Sequence, residues 1–182
     1  YLVADDEAVV YAGLRIVDVT DPAHAVDVAT LPLSATVSAL TVAGSSVYVA
    51  ERSGLTVVDV ADPTQPIIAV QVPLLFGAND VAVRGDVAYV AGHLLSVVDL
   101  RDLSQPVIRA ELGDPDWPQT RHVAVDGDRM FMTGDDRDLW AFDVTNPRQP
   151  RELWRVDTPY PSGYPVDLLT VRDGRLVLAA EG

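Results

Sequence analysis

One five-residue phrase recurs four times along the chain: Leu14-Arg-Ile-Val-Asp18, Leu55-Thr-Val-Val-Asp59, Leu95-Ser-Val-Val-Asp99 and Leu139-Trp-Ala-Phe-Asp143. Its aspartates at 18, 59, 99 and 143 are spaced 41, 40 and 44 residues apart. A period of this length, filled with several short apolar runs, restricts the chain to stacked β units that bury their faces on one another. No segment carries a 3.6-residue apolar period long enough for a helix.

Aligned on the aspartate, each unit resolves into four strand-like runs. The first is Ser38-Ala-Leu-Thr-Val42, repeated as Asn79-Asp-Val-Ala-Val83, Arg121-His-Val-Ala-Val125 and Asp167-Leu-Leu-Thr-Val171. A second follows through Arg84-Gly-Asp86, Asp126-Gly-Asp128 or Arg172-Asp-Gly174, short connections whose Gly and Asp tolerate the positive φ of a tight hairpin. The third is the recurring phrase. The fourth, such as Val107-Ile-Arg-Ala-Glu-Leu112, follows turns such as Asp62-Pro-Thr-Gln-Pro66 and Asn146-Pro-Arg-Gln-Pro150. There an Asp or Asn side chain caps the turn, and the second Pro falls where an outer strand loses least by lacking a donor. The third run is apolar on both faces while the fourth mixes in Arg, Glu and Gln, the gradient of a sheet packed between two neighbours with its last strand at the solvent rim.

At 182 residues, 48% of them hydrophobic, the chain can bury a substantial interior. A formal charge of −14 opposes non-specific binding to nucleic acid or to an anionic lipid surface. No apolar run reaches the roughly 18–20 residues of a membrane-spanning helix, so membrane insertion is not expected. All 13 basic residues are arginine, and there is no cysteine, which excludes disulfides, thiolate catalysis and Cys-ligated zinc. The opening Tyr1-Leu-Val-Ala-Asp-Asp-Glu7 lacks the basic region and cleavage site of a signal peptide, so any export signal is expected to have been removed.

Leu-x-Ile/Val-Val-Asp-Val, then Asp-Pro-x-x-Pro, then Val-Ala-Val turning into Val-Tyr-Val-Ala, resembles the LVIVD repeat family of β-propeller proteins. The resemblance runs over essentially the whole chain, with mild departures at Ala25, Leu103 and Ala141-Phe142. It implies an all-β propeller of four-stranded antiparallel blades in a secreted, cell-surface or periplasmic protein. The units read as 1–33, 34–74, 75–115, 116–158 and a partial 159–182. About four and a half blades suggest an arc of a larger ring, with Tyr1-Leu-Val-Ala4 as the remnant of an innermost strand.

In a propeller the innermost strands start at the mouth of a central channel. Asn79, Asp80, Arg121, His122 and Asp167 fall there and form a candidate ring for a polar ligand or a cation. Against this stands a plain reading, in which they line a wet channel and satisfy one another. Asp18, Asp59, Asp99 and Asp143 recur once per unit, which marks structural posts that accept turn amides, not catalytic pairs. The acidic loops Asp114-Pro-Asp-Trp117 and Asp135-Asp-Arg-Asp138 offer Ca²⁺ oxygens but lack the EF-hand alternation, so solvated turns are favoured and no cofactor is expected. Two longer loops, 113–121 and 157–165, carry Trp117, Tyr160 and Tyr164 to the mouth face, where such side chains either anchor partners or pack as rings over the blade ends.

No nucleophile elbow, phosphate-binding Gly loop or zinc-protease signature occurs. The sequence therefore points to a non-catalytic interaction scaffold that binds a protein or glycan, or further blades of its own polypeptide, through the loop face. The alternative is a propeller enzyme or a cofactor or metal binder working from the channel mouth.

Overall fold

Connections of two residues leave a β-chain little choice but to fold back beside itself. The computed structural model describes residues 2–3, 13–113, 119–134, 138–157, 166–172 and 174–180. They form β1 (Leu2–Val3), β2 (Gly13–Asp18), β3 (Val26–Pro32), β4 (Val37–Ala43), β5 (Ser46–Glu51), β6 (Gly54–Asp59), β7 (Ile67–Pro73), β8 (Asp80–Arg84) and β9 (Val87–Ala91). The series continues with β10 (Leu95–Asp99), β11 (Val107–Leu112), β12 (Thr120–Asp126), β13 (Arg129–Gly134), β14 (Asp138–Asp143), β15 (Arg151–Asp157), β16 (Val166–Arg172) and β17 (Arg175–Ala180). Strands β4–β7, β8–β11 and β12–β15 each make a four-stranded antiparallel meander in chain order, flanked by the sheets β1-β2-β3 and β16-β17. The fold is thus all-β and propeller-like, as the repeat predicts. Gly85 and Gly127 sit at φ 57° and 54° in the hairpins that join β8 to β9 and β12 to β13, a conformation other residues adopt only with strain.

One detail departs from expectation. Leu2–Val3 pairs directly with β2, Leu2 opposite Arg15 and Val3 opposite Leu14, so it takes the second place in its sheet and not the innermost. The backbone of β2 presents an open ladder edge there, and two residues suffice to pair with it.

The core lies between the sheets. One cluster joins Leu14 and Ile16 to Val47, Val49, Val58 and Val60. The next sets Leu55, Val57 and Val72 against Val81, Val90 and Val98, and a third sets Tyr89, Leu95 and Val97 against Met130, Met132, Trp140 and Phe142. Every residue of β10 is buried, whereas every residue of β15, an outermost strand, is exposed. The four inner strands β4, β8, β12 and β16 line one central cavity of about 440 Å³.

The recurring aspartates end their strands as posts. Asp18, Asp59, Asp99 and Asp143 each accept the N–H two residues on, from Thr20, Ala61, Arg101 and Thr145, at 2.8–3.1 Å. A second set follows: Asp21, Asp62, Asp102 and Asn146 accept the N–H of Ala23, Thr64, Ser104 and Arg148 in the same way. Asp99 also takes ion pairs from Arg101 and Arg109. Between third and fourth strands the register slips once in each sheet, after Ile16, Val57, Val97 and Ala141, which adds the local twist of a bulge.

On the face opposite the mouth, Arg84 of β8 reaches across to the next sheet. It donates to Gly127 O at 2.5 Å, Asp128 Oδ1 at 2.6 Å and Val144 O at 3.2 Å. Arg84→Ala is expected to lower stability by about 1–2 kcal/mol in urea unfolding, the scale of a charge-assisted hydrogen-bond set lost from a part-buried site.

Acid should act on the posts. The amide of Thr20 holds the Asp18 carboxyl below its ordinary value, the Arg101 side chain holds Asp99 well below it, and the Thr145 hydroxyl brings Asp143 to about 2. Carboxyls whose folded pKa is depressed give stability that is present above the unfolded value, 3.8, and is lost as pH falls through the folded one. The urea midpoint at fixed ionic strength should therefore decline between about pH 5 and pH 2. A midpoint flat across that window would contradict the post assignment.

Candidate functional site

A second bulge recurs at the start of the inner strands. Pairing passes from Val37 to Ala39 in β4, from Thr120 to His122 in β12 and from Val166 to Leu168 in β16. Ser38, Arg121 and Asp167 are the skipped residues, and Asn79, directly before β8, holds the corresponding place in its sheet. Bulges re-aim side chains out of the ladder. Here the result is a mouth pocket of about 230 Å³ lined by Ser38, Asn79, Gln119, Arg121 and His122.

The structure therefore brings together Asn79, Arg121 and His122 of the predicted ring and adds Ser38 and Gln119. Asp80 and His122 line the deeper central cavity, so His122 borders both spaces. Asp167 belongs to β16, but its side chain lies outside the described residues, as do Trp117, Tyr160 and Tyr164. Of the two acidic loops, residues 114–117 and 135–137 also lie outside them, while Asp138 forms an ion pair with Arg155.

Hydrogen bonds divide the ring by role. Asp80 spends both carboxylate oxygens on backbone, Oδ1 accepting from Val81 N at 2.8 Å and Oδ2 from Val123 N on the neighbouring inner strand at 3.0 Å. His122 Nδ1 stands 3.5 Å from the same Oδ2, an ion pair when the ring is protonated. Asn79 Nδ2 donates to Thr120 O at 2.8 Å, and buried Thr120 in turn exchanges bonds with Gly92 through its amide and hydroxyl. Asp80 and Asn79 thus tie one sheet to the next. Arg121, His122, Gln119 and Ser38 face the pocket as its chemistry: a guanidinium, an imidazole, an amide and a hydroxyl, a donor-rich set suited to carboxylate or hydroxyl groups of a ligand. Among the described residues no three His, Asp or Glu side chains gather as a metal site.

Sequence reading missed a further feature of this face. In the loop between β7 and β8, Leu75 is 88% exposed and Phe76 59%. The loop is pinned: Gly77 N donates to Leu74 O at 3.1 Å and Ala78 N to Glu51 O at 2.9 Å. Gly77 sits at φ 72°, and a Cβ there would lie 2.5 Å from Arg52 O. The Phe76 ring stacks obliquely on His93, centroids 4.6 Å apart. The signal was available in Leu74-Leu-Phe76, an apolar run placed in a connection instead of a strand.

Comparison with known proteins supports the repeat reading. The LVIVD repeat matches residues 36–73 and 77–111, which contain β4–β7 and β8–β11. No curated protein matches the chain.

Asp80→Ala should cost about 1–3 kcal/mol in chemical denaturation, because it strands a part-buried amide between two sheets. Gln119→Ala, at an exposed position of the mouth pocket, should stay within about 0.5 kcal/mol of the parent. Equal losses from both variants would erase the division of roles.

Proposed function

We propose that this chain, which carries two matched LVIVD repeats and four-stranded sheets around a polar mouth, is a non-catalytic interaction module that binds a protein or glycan through the loop face at that mouth. The module belongs, on this reading, to a secreted or cell-surface protein, a placement that rests on the resemblance to the repeat family. The observation that carries the binding assignment is the Leu75-Phe76 tip, two large apolar side chains held in water on a hydrogen-bonded turn. Exposed hydrophobes on a fixed turn lose little conformational freedom on docking, which is how interface anchors gain affinity. The proposal assigns Trp117, Tyr160 and Tyr164 of the two longer loops to the same binding role, and the donor-rich mouth pocket supplies polar orientation.

A second reading keeps the mouth pocket as the site of a small polar ligand. The convergence of Asn79, Arg121 and His122 on one space of about 230 Å³ favours it. The two readings separate by mutation. A panel of immobilised glycans and cell-surface protein fractions should be probed with the parent, with Leu75→Ser/Phe76→Ser and with Arg121→Ala. Loss of about tenfold or more in affinity on changing the tip, with little change on losing Arg121, supports docking through the loop face. Binding that survives the tip change and vanishes with Arg121 transfers the function to the pocket.

A further inference from the structure

Glu51 ends β5 with its side chain wholly shielded from solvent. Burial of a carboxylate is costly unless a cation or several donors meet it. Ser53 Oγ donates to Glu51 Oε2 at 3.0 Å, while Oε1 has no hydrogen-bond partner among the described residues. No arginine or histidine pairs with it there, and the chain contains no lysine. Nor does the fold require an acid at this position. By register, Glu51 lies opposite Val37, and the residues so placed in two other sheets are Gly134 and Ala180.

Beside it lies a cavity of about 290 Å³, separate from the mouth pocket. Its polar lining is Ser34, Ser53, Thr56 and Gln71, and hydroxyls of the first three bear on the Glu51 carboxyl. Gln71 Nε2 donates to Ser34 Oγ at 3.2 Å and Thr56 Oγ1 at 3.3 Å, which orients both hydroxyls. Leu55, Val72 and Pro73 form an aliphatic wall. A hard metal ion such as Ca²⁺ takes six to eight oxygens, commonly several of them carboxylates, and one acid beside a hydrocarbon wall is a poor match. A primary ammonium has three donors and one charge, and an aliphatic stem to lie on that wall.

We infer that this cavity binds a primary alkylammonium, its charged head on the hydroxyls of Ser34 and Thr56 with the Glu51 carboxylate directly behind them, and its stem along Leu55 and Val72. The amine comes from another molecule, either a free alkylamine or a lysine side chain of a bound protein. The inference stands apart from docking through Leu75 and Phe76, and its test uses small probes.

The test is calorimetric titration at pH 7.5 and matched ionic strength with n-butylammonium chloride, its neutral counterpart 1-butanol, CaCl₂, and Gly-Lys-Gly blocked by acetylation at its N-terminus beside the same blocked peptide acetylated also on Nε. Saturable, millimolar-range binding of n-butylammonium, absent for 1-butanol, is expected. Glu51→Gln should weaken it at least about tenfold, and Ser34→Phe, which fills the cavity from an exposed position, should abolish it. If the blocked Gly-Lys-Gly binds and its Nε-acetylated form does not, the source extends to protein-borne lysine; if neither peptide binds, the site is confined to free amines. Binding of 1-butanol as strong as the amine, preference for Ca²⁺, absence of amine binding, or unchanged binding in both folded variants would overturn the inference. Should either variant fail to fold by circular dichroism, the contrast between amine and alcohol on the parent protein decides alone.

Discussion

Everything in this structure depends on sheets that are apolar on both faces and so cannot stand alone. Val57 and Val58 are neighbours on one strand yet pack into different clusters, one toward the following sheet and one toward the preceding one. Stability is then close to a sum over successive interfaces, each worth what its two faces bury. Strand β8 shows how an interface is held in register. Its first residue, Asp80, bonds to Val123 N, and its last, Arg84, bonds to Gly127 O and Asp128, so both ends of one short strand are fastened to the same neighbouring sheet.

The two ends of the sheets have different freedom. Away from the mouth, connections repeat: a strand-ending aspartate, then an Asp or Asn turn, capped alike four times. Around the mouth they diverge, with the Leu75-Phe76 tip, the donor-rich pocket and the cavity at Glu51 all drawn from connections or strand ends that differ between repeats. Repetition marks what folding needs, and divergence marks where recognition can be placed.

The same division explains what the sequence disclosed. The posts were legible because a residue recurring at fixed spacing has one structural address, and Asp18, Asp59, Asp99 and Asp143 all occupy it. The exposure gradient from β10 to the outer strands was legible because period-2 patterning reports burial directly. The inner-strand bulge was not, since skipping one residue leaves no mark in a run such as Val37-Ser-Ala-Leu-Thr, and Asp80 looks the same whether it serves a ligand or Val123 N. Glu51 was hidden for another reason. A glutamate that closes an apolar strand reads as a rim residue, and only the fold reveals it as enclosed, with the hydroxyls of Ser34, Ser53 and Thr56 around its carboxyl. Leu2–Val3 lacked enough residues to specify its place by pattern, so pairing alone fixed it.

The bulge at Ser38, Arg121 and Asp167 has a consequence for how such a protein changes over time. A residue left out of the ladder takes no part in strand pairing, so its replacement leaves the pairing that builds the sheet intact. Serine, arginine and aspartate already stand there in three sheets of a single chain, with asparagine in the matching place of a fourth. Charge and size at the three bulges can therefore drift one substitution at a time without disturbing strand pairing, whereas Asn79 is held by its bond to Thr120 O, which makes the bulge a natural handle for retargeting the protein by design.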